Sequence, residues 1–296
     1  MDREEATFTV DGERCAAWVF RPQGGEDRPP CVVMGTGLAC VREQGMDRFG
    51  ERFAAAGMTA VAFDHRHWGS SEGEPRSLLD IGAQHEDWRA ALAFARRLEG
   101  VDSGRLAVWG FSLGGGHAQF MAATEPGISA ATVIAPTQNG IRSLLHVGGA
   151  KHVARLSVAG IRDAMRGLRG ADPYVIPVAG PPGSLAVLNS YDALPGYEAV
   201  NPAGSSWRNE SAARSALRAP YRPGRMAKRI RCPILFCIAR DDGVNPPQLG
   251  IRAAGRAPRG ELRTYPGGHF DALLGQTFEE VAADQTAFLS QHLGLR

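Results

Sequence analysis

A chain of 296 residues, 44% hydrophobic and 22% charged, can bury a substantial core as one large domain or two small ones. Its net charge of +2 is too small to draw nucleic acid or a membrane surface, and its scattered arginines form no basic stripe. The start, Met1-Asp2-Arg3-Glu4-Glu5, is too charged for a signal peptide, and no apolar stretch approaches the ~20 residues of a membrane span, so a cytoplasmic protein is expected.

In chain order, Thr7 to Val10, Asp11-Gly12 and Cys15 to Phe20 predict two short strands joined by a tight turn. Cys31-Val32-Val33-Met34 is a continuous apolar run, as a strand covered on both faces requires. A helix over 46–57 and a second apolar run at 59–63 follow. Residues 83–98 place Trp88, Ala91, Leu92 and Ala95 on one helical face. The alternation continues with a strand at 105–109, a helix at 114–124 and a strand at 130–135. It resumes with strands at 233–239 and 261–265 and a last helix over 277–293. Such alternation predicts an α/β fold, a mostly parallel central sheet flanked by helices. Between 137 and 228 the rhythm breaks into a Pro-, Gly- and Ser-rich stretch with helices expected near 141–168 and 207–218. We read residues 1–136 and 229–296 as the two parts of one core and 137–228 as a mainly helical cap inserted after the sixth strand. The insertion carries 12 Lys/Arg against 5 Asp/Glu, a net +7 that leaves −5 on the remainder. The five cysteines, Cys15, Cys31, Cys40, Cys232 and Cys237, lie far apart with no C-x-x-C spacing, and the three that fall in apolar runs read as buried thiols.

The chemistry-bearing stretch is Gly110-Phe111-Ser112-Leu113-Gly114, between a strand and a helix. A serine on that sharp turn needs a strained backbone and small neighbours, and gains an exposed hydroxyl at a helix N-terminus. A hydroxyl becomes a nucleophile only when a base takes its proton and a third group orients the base. Asp241-Asp242 directly follows the strand at 233–239, and His269 sits in Pro266-Gly267-Gly268-His269 after the next strand. Ser, acid, His is the chain order this architecture uses.

With these residues in place the chain resembles the α/β-hydrolase superfamily, as a serine esterase- or thioesterase-like member. The resemblance covers about 15–136 and 229–294. Asp242, with Pro246 four residues on, matches the family's acid position better than Asp241, and His269 matches the base. Gly35-Thr36-Gly37-Leu38 resembles the family's His-Gly-x loop with threonine in place of histidine, which implies oxyanion-hole amides at Leu38 and Leu113. Asp64, Arg66, Gly69 and Ser71 match an Asp-x-Arg-x-x-Gly-x-Ser segment, with loop-bracing roles for Asp64 and Arg66. His65 and His67 form an H-x-H pair, but no further ligand cluster accompanies them, so no metal and no cofactor are expected.

The resemblance implies a serine hydrolase cleaving an ester, thioester or lactone through an acyl-enzyme. An acyltransferase or cyclase would use the same serine, and a non-catalytic ligand binder would sit on the same scaffold. Serine at the elbow argues against epoxide opening, and the length argues against the family's multidomain peptidases. The cap would supply the substrate-binding residues, with Leu145, Tyr191 and Trp207 the leading candidates and Leu144, Tyr174, Val175, Ile176 and Leu188 beside them. His117, one turn after Ser112, is a candidate for the pocket floor. The charge asymmetry suggests a small-molecule acyl substrate that is anionic or carrier-bound. A homodimer stays open.

Overall fold

The structure, a computed structural model, describes residues 3–295; Met1 and Asp2 of the charged start, and Arg296, lie outside the described residues. The chain opens with strands β1 (Arg3–Val10) and β2 (Glu13–Phe20), antiparallel across the turn Asp11-Gly12, both of whose residues have positive φ. Next come β3 (Cys31–Gly35), α1 (Met46–Ala55), β4 (Thr59–Phe63), α2 (Ile81–Arg97), β5 (Leu106–Phe111), α3 (Ser112–Thr124) and β6 (Ile128–Ile134). The intervening segment holds α4 (Gly140–Gly167), the two-residue strands β7 (Val175–Ile176) and β8 (Ser211–Ala212), and α5 (Ala193–Val200) between them. The fold closes with β9 (Ile234–Ala239), α6 (Pro247–Ala254), β10 (Gly260–Tyr265) and α7 (Gly275–Leu293).

Among the described residues eight strands form one sheet, in the order β1-β2-β4-β3-β5-β6-β9-β10, parallel from β4 onward. Alternation along each strand builds two cores. Met34, Ala62 and Trp109 face one side, with Phe49 of α1 and Phe278 of α7. Val33, Phe63 and Val108 face the other, with Trp88 of α2, Met121 of α3 and Ala253 of α6. Both faces are covered, which is why β3, β4 and β5 are fully buried and, Thr59 apart, apolar throughout. From β3 the chain runs outward to β4 in one direction and, through β5, to β6 in the other. The loops after β3 and β5 therefore diverge and leave a crevice, the place where open α/β sheets bind ligands.

The 137–228 segment departs from expectation in three places. α4 is broken at Gly149, whose φ of 71° and ψ of −174° separate two helical pieces. The expected helix at 207–218 is instead an extended piece ending in a 3₁₀ turn at Ala213–Arg218. The extension is held by hydrogen bonds the helix would forbid. Asn209 exchanges two with the backbone of Ala179 (2.8 and 2.9 Å), and Ala212 N–H donates to Ser77. The third departure is α5, absent from the periodicity reading because Ala193-Leu194-Pro195-Gly196 resembles a turn. Pro195 falls in the first turn, where its missing N–H is not needed, and a Cβ at Gly196 would come within 2.1 Å of Phe270. α6 likewise escaped the reading, its start being Pro246-Pro247. Among the described residues no helix is long and apolar enough to cross a membrane.

Candidate active site

Ser112 is the first residue of α3, directly after β5, with φ at 55°. Such a value on a non-glycine residue costs ~1–3 kcal/mol and persists only where the surroundings impose it. The two motif glycines are part of that imposition. A Cβ at Gly110 would lie 2.2 Å from the carbonyl oxygen of Gly114, and one at Gly114 would lie 2.2 Å from that of Thr36. The turn lifts the hydroxyl to the carboxyl edge of the sheet.

Asp242 and His269 arrive there on the loops after β9 and β10. His269 Nε2 lies 2.9 Å from Ser112 Oγ, and His269 Nδ1 lies 2.8 Å from Asp242 Oδ2. The other carboxylate oxygen, Oδ1, accepts the N–H groups of Val244 and Asn245 at 2.8 and 2.7 Å. Both oxygens are engaged, so the carboxylate has one orientation. Asp241 is exposed, and among the described residues its side chain receives only Gly267 N–H, at 3.4 Å.

Leu38 and Leu113 line the cavity beside Ser112. The Leu113 amide is among the first N–H groups of α3, which have no partner inside the helix. Leu38 N–H makes no hydrogen bond among the described residues, while Leu38 C=O accepts Tyr197 OH at 2.5 Å. The cavity measures about 80 Å³, and its walls include Leu79, Ile81, Leu144, Val187, Leu188 and Tyr221. Its polar residues are engaged by one another, by backbone or by side chains outside it, Arg218 by Asp80 and Tyr221 OH by His85 and His117. Ser143 Oγ bonds Asn245 Oδ1 at 2.6 Å, Asn245 Nδ2 donates to Ala135 C=O, and Ser215 Oγ receives Leu79 N–H.

The three leading substrate-binding candidates lie elsewhere. Leu145 is 43% exposed, one residue and about a quarter-turn of α4 on from the buried Leu144. Tyr191 is 66% exposed and donates its hydroxyl to the carbonyl of Asp241. Trp207 stacks on Tyr197, ring centroids 5.4 Å apart. Of the described residues lining the Ser112 cavity, none is Leu145, Tyr191 or Trp207. Leu144 and Leu188, named beside them, do line it.

Two residues of importance were not singled out from sequence, and both belong to α5 or its N-cap. Asp192 Oδ2 accepts the N–H of Gly243 at 3.0 Å and of His269 at 3.3 Å, bridging the loops that carry the acid and the histidine. Tyr197 holds the Leu38 loop. An aspartate just ahead of a first-turn proline is a helix-start signal that could have revealed them.

His117 is fully buried and does not line the cavity. Its Nε2 meets Gln84 Oε1 at 2.9 Å and its Nδ1 meets both His85 Nε2 and Tyr221 OH. Burial and the neighbouring His85 and His65 hold its pKa well below the usual value, and burial, with Arg89 and His65, pushes His85 down to about 4. The unfolded chain protonates these groups near pH 6.5 and the native one does not, so stability is lost as pH falls from 6.5 towards 4. Asp64 works the other way. Burial raises it to about 6, against the pull of Arg42, so the native state takes up its proton first. Two depressed histidines outweigh one raised aspartate, so the balance is a net loss of stability as pH falls. The urea midpoint is expected to drop between pH 7 and pH 4.5; an unchanged midpoint contradicts this account.

His65 Nδ1 pairs with Asp87, which also receives Arg66 Nε at 2.6 Å, while Asp64 is held by Arg42 and by Ser70 N–H. Asp64 and Arg66 thus brace separate loops. Among the described residues no group of three or more His, Cys, Asp or Glu could hold a metal ion. All five cysteines are free and buried, and burial pushes their thiols up to between about 11 and about 12.

A mostly parallel sheet covered on both faces, with serine, histidine and aspartate meeting at its switch point, is the architecture of the α/β hydrolases. The chain belongs to the alpha/beta hydrolase family, whose pattern matches residues 41–284. It is 38% identical to the quorum-quenching protein AidA of Acinetobacter baumannii over 97% of this chain and 94% of that one. It is 27% identical to the polyketide transferase af380 of Aspergillus fumigatus over 99% of both chains. The crystal structure of the alpha/beta hydrolase GrgF from Penicillium sp. superposes with a TM-score of 0.85 at 22% identity, covering 99% of this chain and 100% of that one.

Proposed function

We propose that the protein is a serine hydrolase acting on an ester, thioester or lactone of an apolar acyl group. The observation that carries this is the relay from Ser112 to His269 to Asp242, with contacts of 2.9 and 2.8 Å, at the wall of an apolar cavity. In this reading His269 Nε2 takes the Ser112 proton as Oγ attacks the acyl carbon. The amides of Leu38 and Leu113 hold the oxyanion; each such donor is worth ~10²–10³ in rate. Asp242 fixes the tautomer in which Nδ1 carries the proton, and stabilises the imidazolium once it forms. His269 then returns the proton to the leaving group, and water attacks the acyl-enzyme.

The cavity's walls are mostly apolar and its polar side chains already have partners, so the acyl part it accepts is apolar. The 137–228 insertion acts as the cap of this site, supplying Leu144, Val187, Leu188 and Tyr221 to its wall. Names among the relatives agree in chemistry. Besides the polyketide transferase, a thiohydrolase of Aspergillus aculeatus is 26% identical over 99% of this chain. Acyl transfer differs from hydrolysis only in the acceptor that meets the acyl-enzyme, and the transferase relatives keep that reading alive.

The test is a fluorophosphonate probe with adduct mapping, followed by p-nitrophenyl esters and thioesters of rising chain length. Labelling of Ser112 that disappears in His269→Ala is expected. Folded protein that takes no label would instead point to a non-catalytic binder.

Asp192 enters as a positioning residue. Removing both its hydrogen bonds in Asp192→Ala frees the two loops from α5, and a misplacement of about 1 Å costs ~10²-fold in kcat. Asp192→Asn keeps one acceptor and is expected to recover most of that loss, with KM nearly constant in both variants. Equal losses in the two variants, or a loss confined to KM, would show that the carboxylate does not act through His269.

A further inference from the structure

A second cavity, of about 510 Å³, shares a wall with the Ser112 cavity. The wall is two strips of chain, 137–143 and 221–224, tied by Gly140 N–H to Tyr221 C=O and Gly224 N–H to Gln138 C=O. Thr137, Gly140, Ser143 and Tyr221 face the acyl cavity, whereas their neighbours Gln138, Asn139, Arg142 and Arg222 face the other. Five arginines line this second space: Arg142 from α4, Arg222 and Arg225 at either end of a 3₁₀ turn at Pro223–Arg225, Arg252 from α6 and Arg256 just after it. No carboxylate lines it, and none of the five is ion-paired among the described residues. Some arginines elsewhere in the chain are ion-paired, Arg66 to Asp87, Arg105 to Asp102 and Arg214 to Asp163, and what sets these five apart is their convergence on one concavity.

Five exposed, unneutralised guanidinium groups drawn from three separate segments around one concavity repel one another, and a concave site focuses their field. A polyanion relieves that repulsion. The guanidinium fork matches phosphate oxygens in a bidentate fashion, and five forks exceed what a lone carboxylate can use. We propose that this cavity is a binding site for a ligand bearing two or more phosphate groups. The phosphates come either from the nucleotide end of an acyl thioester substrate or from a free polyphosphate. The first source rests on the acyl-transfer reading of Ser112; the binding itself does not.

The experiment is calorimetric titration of inorganic pyrophosphate and of coenzyme A into the native protein, Ser112→Ala, Arg252→Glu/Arg256→Glu and Arg222→Gln/Arg225→Gln at low salt, with circular dichroism confirming the fold of each. Native protein and Ser112→Ala are expected to bind both probes alike. Each arginine pair removed is expected to weaken binding ~10-fold or more, since one hydrogen bond to a charged group is worth about that factor. No binding of either probe, or equal binding by the arginine variants, overturns the proposal. A fall in the ratio of kcat/KM for an acyl-coenzyme A over that for a neutral ester in the arginine variants assigns the phosphates to the substrate. An unchanged ratio with weakened binding assigns them to a free polyphosphate. Failure of the native protein to turn over any acyl substrate while it still binds pyrophosphate would count against the Ser112 reading alone.

Discussion

Ser112→Ala is expected to lower kcat for an activated ester by about 10⁵–10⁶, with the melting temperature nearly unchanged. The substitution removes one oxygen whose partner in the fold is His269 Nε2, and alanine inherits the same strained φ, so folding has little to lose. His269→Ala is expected to cost about as much. The double variant should be no worse than either single one, because nucleophile and base act as a unit and half of it is useless. A residue of activity within tenfold of native would demand another nucleophile. The cysteines are poor candidates, since burial raises their thiols out of the reactive range and Cys40, on the loop after β3, is pushed up to about 12. Single-turnover kinetics with a chromogenic ester separates the outcomes.

The parts of this molecule legible in its sequence are those whose pattern has one cause. β3, β5 and the part of β4 after Thr59 are unbroken apolar runs because helices cover both their faces. Ser112 is legible because Gly110 and Gly114 have no room for a Cβ, so a steric demand is written directly into residue type. Asp242 and His269 follow from strand ends, which β9 and β10 fix. The cavity wall is different. An apolar residue facing a cavity and one facing the core obey the same periodicity, so Leu144 and Leu145 read alike until α4 is placed. Tyr191 and Trp207 look like binding residues by chemical type, yet one turns to the Asp241 carbonyl and the other to Tyr197.

α5 carries the same lesson further. Its eight residues are helical because Gly196 lets it approach Phe270 and because Asp192 finds two N–H donors on other loops, causes that exist only after folding. The arginine cavity is a second case. The surplus of positive charge between 137 and 228 is visible in the sequence, but Arg252 and Arg256 come from the core, and only the packing of α6 brings them to Arg142, Arg222 and Arg225. Charge counted by segment cannot reveal a site made between segments.

Asp242→Asn is expected to lower kcat by about 10⁴, through tautomer rather than through loss of structure. The geometry decides which way the new amide turns. Val244 and Asn245 present two N–H donors to the position of Oδ1, so the asparagine carbonyl must go there and its NH₂ must face His269 Nδ1. A donor opposite Nδ1 forces the ring proton onto Nε2, which can then no longer accept the Ser112 proton. The opposite orientation would set an NH₂ group against two backbone donors and leave both buried N–H groups unpaired, at ~1–3 kcal/mol each. Asp241→Asn is the internal control. Its side chain is exposed and receives one long hydrogen bond, so kcat should change by less than about twofold. Burst kinetics on both variants distinguishes the cases, because a tautomer fault slows acylation itself. A similar loss in Asp241→Asn, or none in Asp242→Asn, would remove the aspartate at 242 from the relay and leave His269 oriented by its backbone and Asp192 alone.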